Sequence, residues 1–80
     1  MANENLDLIL EDDSLEIFVR VNPENIDIFN KIVEAYDNLA LVTAIHPQEG
    51  KLLVRVTKDT KKDTIKVLKH LPFPVEFCHK

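Results

Sequence analysis

The sequence predicts an α+β domain of the ferredoxin-like type, βαββαβ, a four-stranded antiparallel sheet with two helices on one face and spatial strand order 4-1-3-2. Three observations point to it. Residues 15–21 (LEIFVRV) alternate apolar and polar, the pattern of a strand with one buried face. Two segments, 22–38 and 60–71, carry apolar residues at helical spacing, and each follows a strand-like run. Between them, two apolar runs flank Pro47-Gln48-Glu49-Gly50, where Pro sets φ and Gly supplies a positive φ, so they form a hairpin.

Residues 1–13 read as a polar, acidic leader around LDLIL, either a frayed tail or an added arm that packs on the body or on a partner. Residues 14–80 form a single domain. In its first strand Leu15, Ile17, Val19 and Val21 point one way, and Glu16, Phe18 and Arg20 the other. The first helix opens on Asn22, whose side chain caps it, with Pro23 at the first helical position, where a missing N–H costs nothing. Ile26, Ile28, Phe29, Ile32, Val33, Ala35 and Tyr36 fall on one half of its wheel; Asp27, Asn30, Lys31, Glu34 and Asp37 fall on the other. Phe29, Val33 and Tyr36 are the expected anchors on the sheet, and Asn38 takes the left-handed conformation that ends the helix.

Residues 39–45 (LALVTAI) are too continuous and too short for another amphipathic helix, and fit a largely buried strand. A four-residue loop places His46 opposite Lys51. Leu39, Leu41, Thr43 and Ile45 then share the helix-covered face with Leu52, Val54 and Val56. Ala40, Val42, Ala44, His46, Leu53 and Arg55 take the uncovered face; a shift of one residue would reverse this. Asp59 or Thr60 caps the second helix, which has Lys61, Thr64, Ile65, Val67, Leu68 and Leu71 on one face and Lys62, Asp63, Lys66, Lys69 and His70 on the other, and stops at Pro72. Residues 73–78 form a last strand, and the prolines near its start suit an edge.

The run IVEAYDNLALVTAIHPQEGKLLVRVT resembles a family of short, uncharacterised bacterial domains, in which a helix ending in Glu-x-Tyr-Asp leads into a Leu-Ala-x-Val-x-Thr-like strand and a hairpin. That resemblance covers roughly residues 15–72 and implies the fold. The topology is also similar to the ACT-type regulatory domains. Those often carry a glycine at the first strand–helix loop, whereas here the loop is Val21-Asn22-Pro23-Glu24.

Composition narrows function by exclusion. Apolar residues at 45% and charged residues at 30% give a globular chain rather than a disordered one. A single glycine leaves no phosphate-cradling loop of the kind that NTPases, dinucleotide enzymes or acylphosphatases need. One cysteine, Cys78, fits a reducing compartment, and the cytoplasm is expected; no stretch reads as a signal peptide or membrane span. The net charge of −4 disfavours non-specific nucleic-acid binding. It divides unevenly: residues 1–40 hold ten acids and two bases, residues 41–80 four acids and eight bases. This puts acids on the exposed side of the first helix and Lys62, Lys66 and Lys69 on the second, where mutual screening is expected.

No catalytic, cofactor-binding or metal-ligating set is expected. Cys78 and His79 adjoin on a strand and so point to opposite faces, no CxxC is present, and His46 and His70 are isolated. Glu34/Asp37 and Glu11/Asp12/Asp13 fall on exposed or flexible segments, without the burial that tunes catalytic carboxylates. The candidate site is the uncovered sheet face, with Phe18, Arg20, Val42, Ala44, Leu53 and Arg55, and Cys78 beside them. Its first reading is a non-enzymatic interaction or regulatory domain that self-associates as a dimer or binds another protein. The alternatives are a sensor holding a small anionic ligand between Arg20 and Arg55, and a nucleic-acid binder that stacks bases on Phe18. Two covers for the face are available, the LDLIL segment or a second protomer, and the dimer is favoured because LDLIL offers little apolar area.

Overall fold

In the computed structural model, which describes residues 14–36 and 39–78, β1 (Glu16–Arg20) leads through a 3₁₀ turn (Pro23–Asn25) into α1 (Ile26–Glu34). Strands β2 (Leu41–His46) and β3 (Lys51–Arg55) follow, joined by a second 3₁₀ turn at Pro47–Glu49; α2 (Lys61–Lys69) and β4 (Glu76–Cys78) complete the chain. The sheet order is β2-β3-β1-β4, with every neighbouring pair antiparallel. This is the expected α+β arrangement.

The core is built on alternation. Ile17 and Val19 of β1 stand opposite Val54 and Leu52 of β3, and all four are fully buried. Phe29 and Val33 of α1, Ile65 and Leu68 of α2, and Phe77 of β4 close on the same cluster, so both helices cover one face. The central ladder extends past both ends of its strands: Val21 N–H donates to Gly50 O at 2.9 Å, and Val56 N–H donates to Leu15 O at 2.9 Å.

Local chemistry starts each helix. The Asn22 side chain accepts from Glu24 N–H at 3.1 Å, with Pro23 directly after it, so the expected cap opens the 3₁₀ turn. α1 itself starts three residues later at Ile26, with Asn25 before it and no side-chain cap. α2 begins with a reciprocal pair: Thr57 N–H donates to Thr60 Oγ1 at 3.0 Å, and Thr60 N–H donates to Thr57 Oγ1 at 3.2 Å. Lys61 is half-buried because its Nζ reaches the Ser14 carbonyl at 2.8 Å. Thr64 is buried, with its hydroxyl donating back to Thr60 O at 2.8 Å.

Three expectations are corrected. Tyr36 is not an anchor: α1 ends at Glu34, so Tyr36 leaves the helical stripe and is 50% exposed. Ile28 is 43% exposed, because the buried stripe centres on Phe29 and Val33 and Ile28 falls beyond its edge. The third concerns β2. His46 does pair with Lys51, but a bulge between Ala44 and His46 inserts Ile45 as an unpaired residue. Every residue before it changes face. Val42 and Ala44 oppose Val54 and Leu52 on the helix side, and Leu41 and Thr43 oppose Arg55 and Leu53 on the uncovered side. Ala40 likewise packs toward the core. The expected end of the first helix at Asn38 and the 1–13 leader lie outside the described residues.

Gly50 is the one residue of the hairpin that no other type fits. Its φ is +75°, and a Cβ there would stand 1.7 Å from Val21 O. Two stability predictions follow from this packing. Phe29→Ala should cost about 3–5 kcal/mol, and Gly50→Ala upward of about 1 kcal/mol. Urea denaturation followed by circular dichroism measures both; a loss below about 1 kcal/mol for Phe29→Ala would mean that α1 packs otherwise.

Candidate functional site

The uncovered face is set by the same alternation that builds the core. Phe18 stands opposite Leu53, Arg20 opposite Lys51, and Glu16 opposite Arg55. On one flank, β4 places Cys78 opposite Phe18 and Glu76 opposite Arg20. On the other, β2 places Thr43 opposite Leu53 and Leu41 opposite Arg55. Phe18 and Leu53 form a non-hydrogen-bonded pair, the closer of the two antiparallel geometries, at about 4.5 Å between Cα atoms. Leu53 is 9% exposed and Phe18 half-buried, whereas Leu41 is 74% exposed.

Of the six residues expected here, Phe18, Arg20, Leu53 and Arg55 share the face. Val42 and Ala44 do not, because of the bulge. Leu41 and Thr43 replace them. Residues 39–45 are apolar at both parities apart from Thr43, so no alternation distinguishes one face from the other.

The two arginines are not free to converge on one small anion. Arg20 opposes Lys51, four residues along β3 from Arg55, which separates the two backbones by roughly 13 Å. Both also have carboxylates nearby. Arg20 lies 3.9 Å from Glu49 and 3.9 Å from Glu76, and Arg55 lies 3.4 Å from Glu16. These pairs are solvent-exposed and worth at most about 1 kcal/mol each. They do, however, neutralise the face. Phe18 is the single aromatic among the described residues of the face.

Beside this face a cleft of about 300 Å³ opens where the β2–β3 ladder stops, lined by Leu39, Ala40, Leu41, Arg55, Val56 and Thr57. Leu39 and Thr57 would be the next hydrogen-bonded pair. Instead, Leu39 N–H donates to Tyr36 O at 3.3 Å and Thr57 N–H turns to Thr60, so the strands part.

Burial pushes the Cys78 thiol above its ordinary value, and the Glu76 carboxylate adds to this; Arg20 and Lys51 act in the opposite direction without cancelling it. The thiol also lies 3.8 Å from Glu76 O. His70 is exposed, with Nδ1 2.7 Å from the Lys66 carbonyl, and His46 is exposed at the end of β2. Among the described residues no group of three or more His, Cys, Asp or Glu is placed to hold a metal ion. No helix among them is long and apolar enough to cross a membrane. His79 and Asp37 lie outside the described residues.

Residues 19–75 match a family model described as Domain of unknown function (DUF4911). The chain belongs to this family. The DUF4911 match begins inside β1 and stops before β4, so it includes Arg20, Leu41, Thr43, Leu53 and Arg55 and leaves out Phe18 and Cys78. No match was found among curated proteins or among solved structures.

The raised Cys78 pKa sets a pH prediction. The folded chain holds this proton more tightly than the unfolded chain, so stability should fall as pH rises through the thiol range. Alkylation by iodoacetamide should reach half its maximal rate above about pH 8.5, the value for a free thiol. Glu76→Gln should lower that midpoint and Arg20→Gln raise it; a midpoint at or below that of free cysteine would contradict the assigned surroundings.

Proposed function

We propose that this DUF4911 domain is a non-enzymatic interaction module that acts by self-association, meeting a second copy on the β2 side of its uncovered sheet face. The observation that carries this reading is Leu41, a large apolar side chain left 74% exposed next to Thr43 and Leu53. It extends the apolar set of Phe18 and Leu53 to the sheet edge, and contiguous apolar surface is what marks interaction sites. The charges around it favour a protein surface over a polyanion. Glu16, Glu49 and Glu76 balance Arg20, Lys51 and Arg55, leaving no net positive field to draw in a phosphate backbone. The single cysteine fits a reducing, cytoplasmic setting.

A second reading is favoured by the cleft. Its volume of about 300 Å³ is at the lower end for ligand sites, and Arg55 lies on its wall. A small anion with an apolar body would fit there, using Arg55 but not Arg20.

Multi-angle light scattering tests the first reading. The wild-type chain should be a dimer at micromolar concentration, Leu41→Glu should be monomeric, and Phe18→Glu should weaken association less. A wild type that stays monomeric to millimolar concentration would refute it. For the second reading, a thermal-shift screen of small carboxylates and phosphates is diagnostic. A ligand at 100 times its Kd adds about 2.7 kcal/mol, and Arg55→Gln should abolish the shift.

A further inference from the structure

β2 occupies an edge with the composition of a central strand. Residues 41–45, Leu-Val-Thr-Ala-Ile, contain no charge, no proline and no glycine. Such runs ordinarily lie between two strands with both faces covered. Among the described residues no strand lies on the outer side of β2, and its side chains are exposed or half-buried on both faces. The opposite edge is guarded. β4 has three residues, and Pro72 and Pro74 stand just before it, features that block pairing with another chain.

The register shows which backbone groups of β2 point outward. The bonds from Val21 N–H to Gly50 O and from Val56 N–H to Leu15 O mean that Gly50, Leu52, Val54 and Val56 turn their backbones to β1. Lys51, Leu53 and Arg55 therefore turn theirs to β2, where they meet His46, Thr43 and Leu41. Val42 and Ala44 are left with N–H and C=O directed away from the sheet, and Ala40 continues the alternation.

We propose that two copies pair antiparallel along β2 about a two-fold axis at Val42, joining two four-stranded sheets into one continuous sheet. This rests on the self-association reading and gives it a geometry. In this register Ala40 faces the partner's Ala44, and Val42 faces the partner's Val42. Each outward-directed residue thus meets another outward-directed residue. On the uncovered face Leu41 lies across from the partner's Thr43, which covers the exposed leucine. A two-fold axis sets each residue near it against its own kind, so a charge there would oppose itself. The strand carries none, and its outward set has a small residue at each end of Val42. These features fit a second copy of the same strand. The bulge at Ile45 bends the strand and ends the pairing there.

The test uses the full chain with two edge-blocking variants, Ala44→Pro and Ala44→Lys. The Ala44 N–H points outward, so Pro removes no bond to β3, and circular dichroism should show a folded domain. Lys keeps the N–H and blocks by charge, so it covers the case in which the proline disturbs the strand. Both variants should be monomeric by light scattering. In the wild type, hydrogen exchange at the Val42 and Ala44 amides should slow at least tenfold as concentration rises through the association range. If the folded Lys variant stays dimeric and these amides exchange at the same rate at all concentrations, the edge geometry is overturned and the self-association reading stands. A wild type that is monomeric throughout overturns both.

Discussion

The pairing of β1 with β3 is the constraint on which the rest of the domain depends. Their register places Ile17 and Val19 beside Val54 and Leu52 on one side, and Phe18 beside Leu53 on the other. The period of two then leaves no freedom: a slip of β1 by one residue would expose Ile17 and Val19 and bury Glu16 and Arg20. Gly50 holds this register at one end. It accepts the Val21 N–H, adopts φ +75°, and leaves no room for a side chain against Val21 O. A hairpin turn and the central ladder thus meet at one residue, and the turn sets where β3 starts relative to β1.

From that ladder outward, legibility in the sequence declines in a physically ordered way. β1 was readable because LEIFVRV alternates at every position but Phe18. The turn that leads into α1 was readable because Asn22 and Pro23 act through local bonds and φ alone. The length of α1 was less so: a helical pattern continuing to Tyr36 does not say when the chain leaves the helix, and Tyr36 lies beyond its end. β2 was legible as a strand and as a partner of β3, and His46 was legible as the partner of Lys51. Its facing was not. A bulge is one extra residue in a ladder, and in LALVTAI apolar residues occupy both parities, so inserting Ile45 breaks no visible pattern. The candidate site suffered through the same residue: Phe18, Arg20, Leu53 and Arg55, on the two strands without a bulge, were placed correctly, and Val42 and Ala44 were not.

The charges on the uncovered face show why residue type alone is a poor guide to a site. Two arginines on neighbouring central strands suggest a clamp for an anion. Register separates them to opposite ends of the strand pair, and sequence-distant carboxylates approach each: Glu49 from the turn and Glu76 from β4 at Arg20, Glu16 from β1 at Arg55. Each pair alone is worth little in water. Their collective effect is on the field, since a face with balanced charges neither steers nor concentrates an anionic partner. What remains distinctive about the face is its apolar part, and that part thickens toward β2.

The reason it thickens there is geometric. α1 has nine residues and is about 13.5 Å long. β2 has six residues and runs roughly 20 Å. The strand is longer than the helix, and Ala44 is exposed even though it lies on the helix side. On the other side Leu41 is 74% exposed, with no described element over it. The chain therefore carries more apolar strand than its two short helices shield, and the excess collects at one edge instead of being spread over the surface. Lengthening α1 would cover one face of β2 and leave its outward N–H and C=O groups bare. A strand alongside satisfies those groups and covers both faces with one element. In the proposed dimer another copy of β2 would supply that strand with no residue added to the chain, and the stability of the domain would then rise with its own concentration.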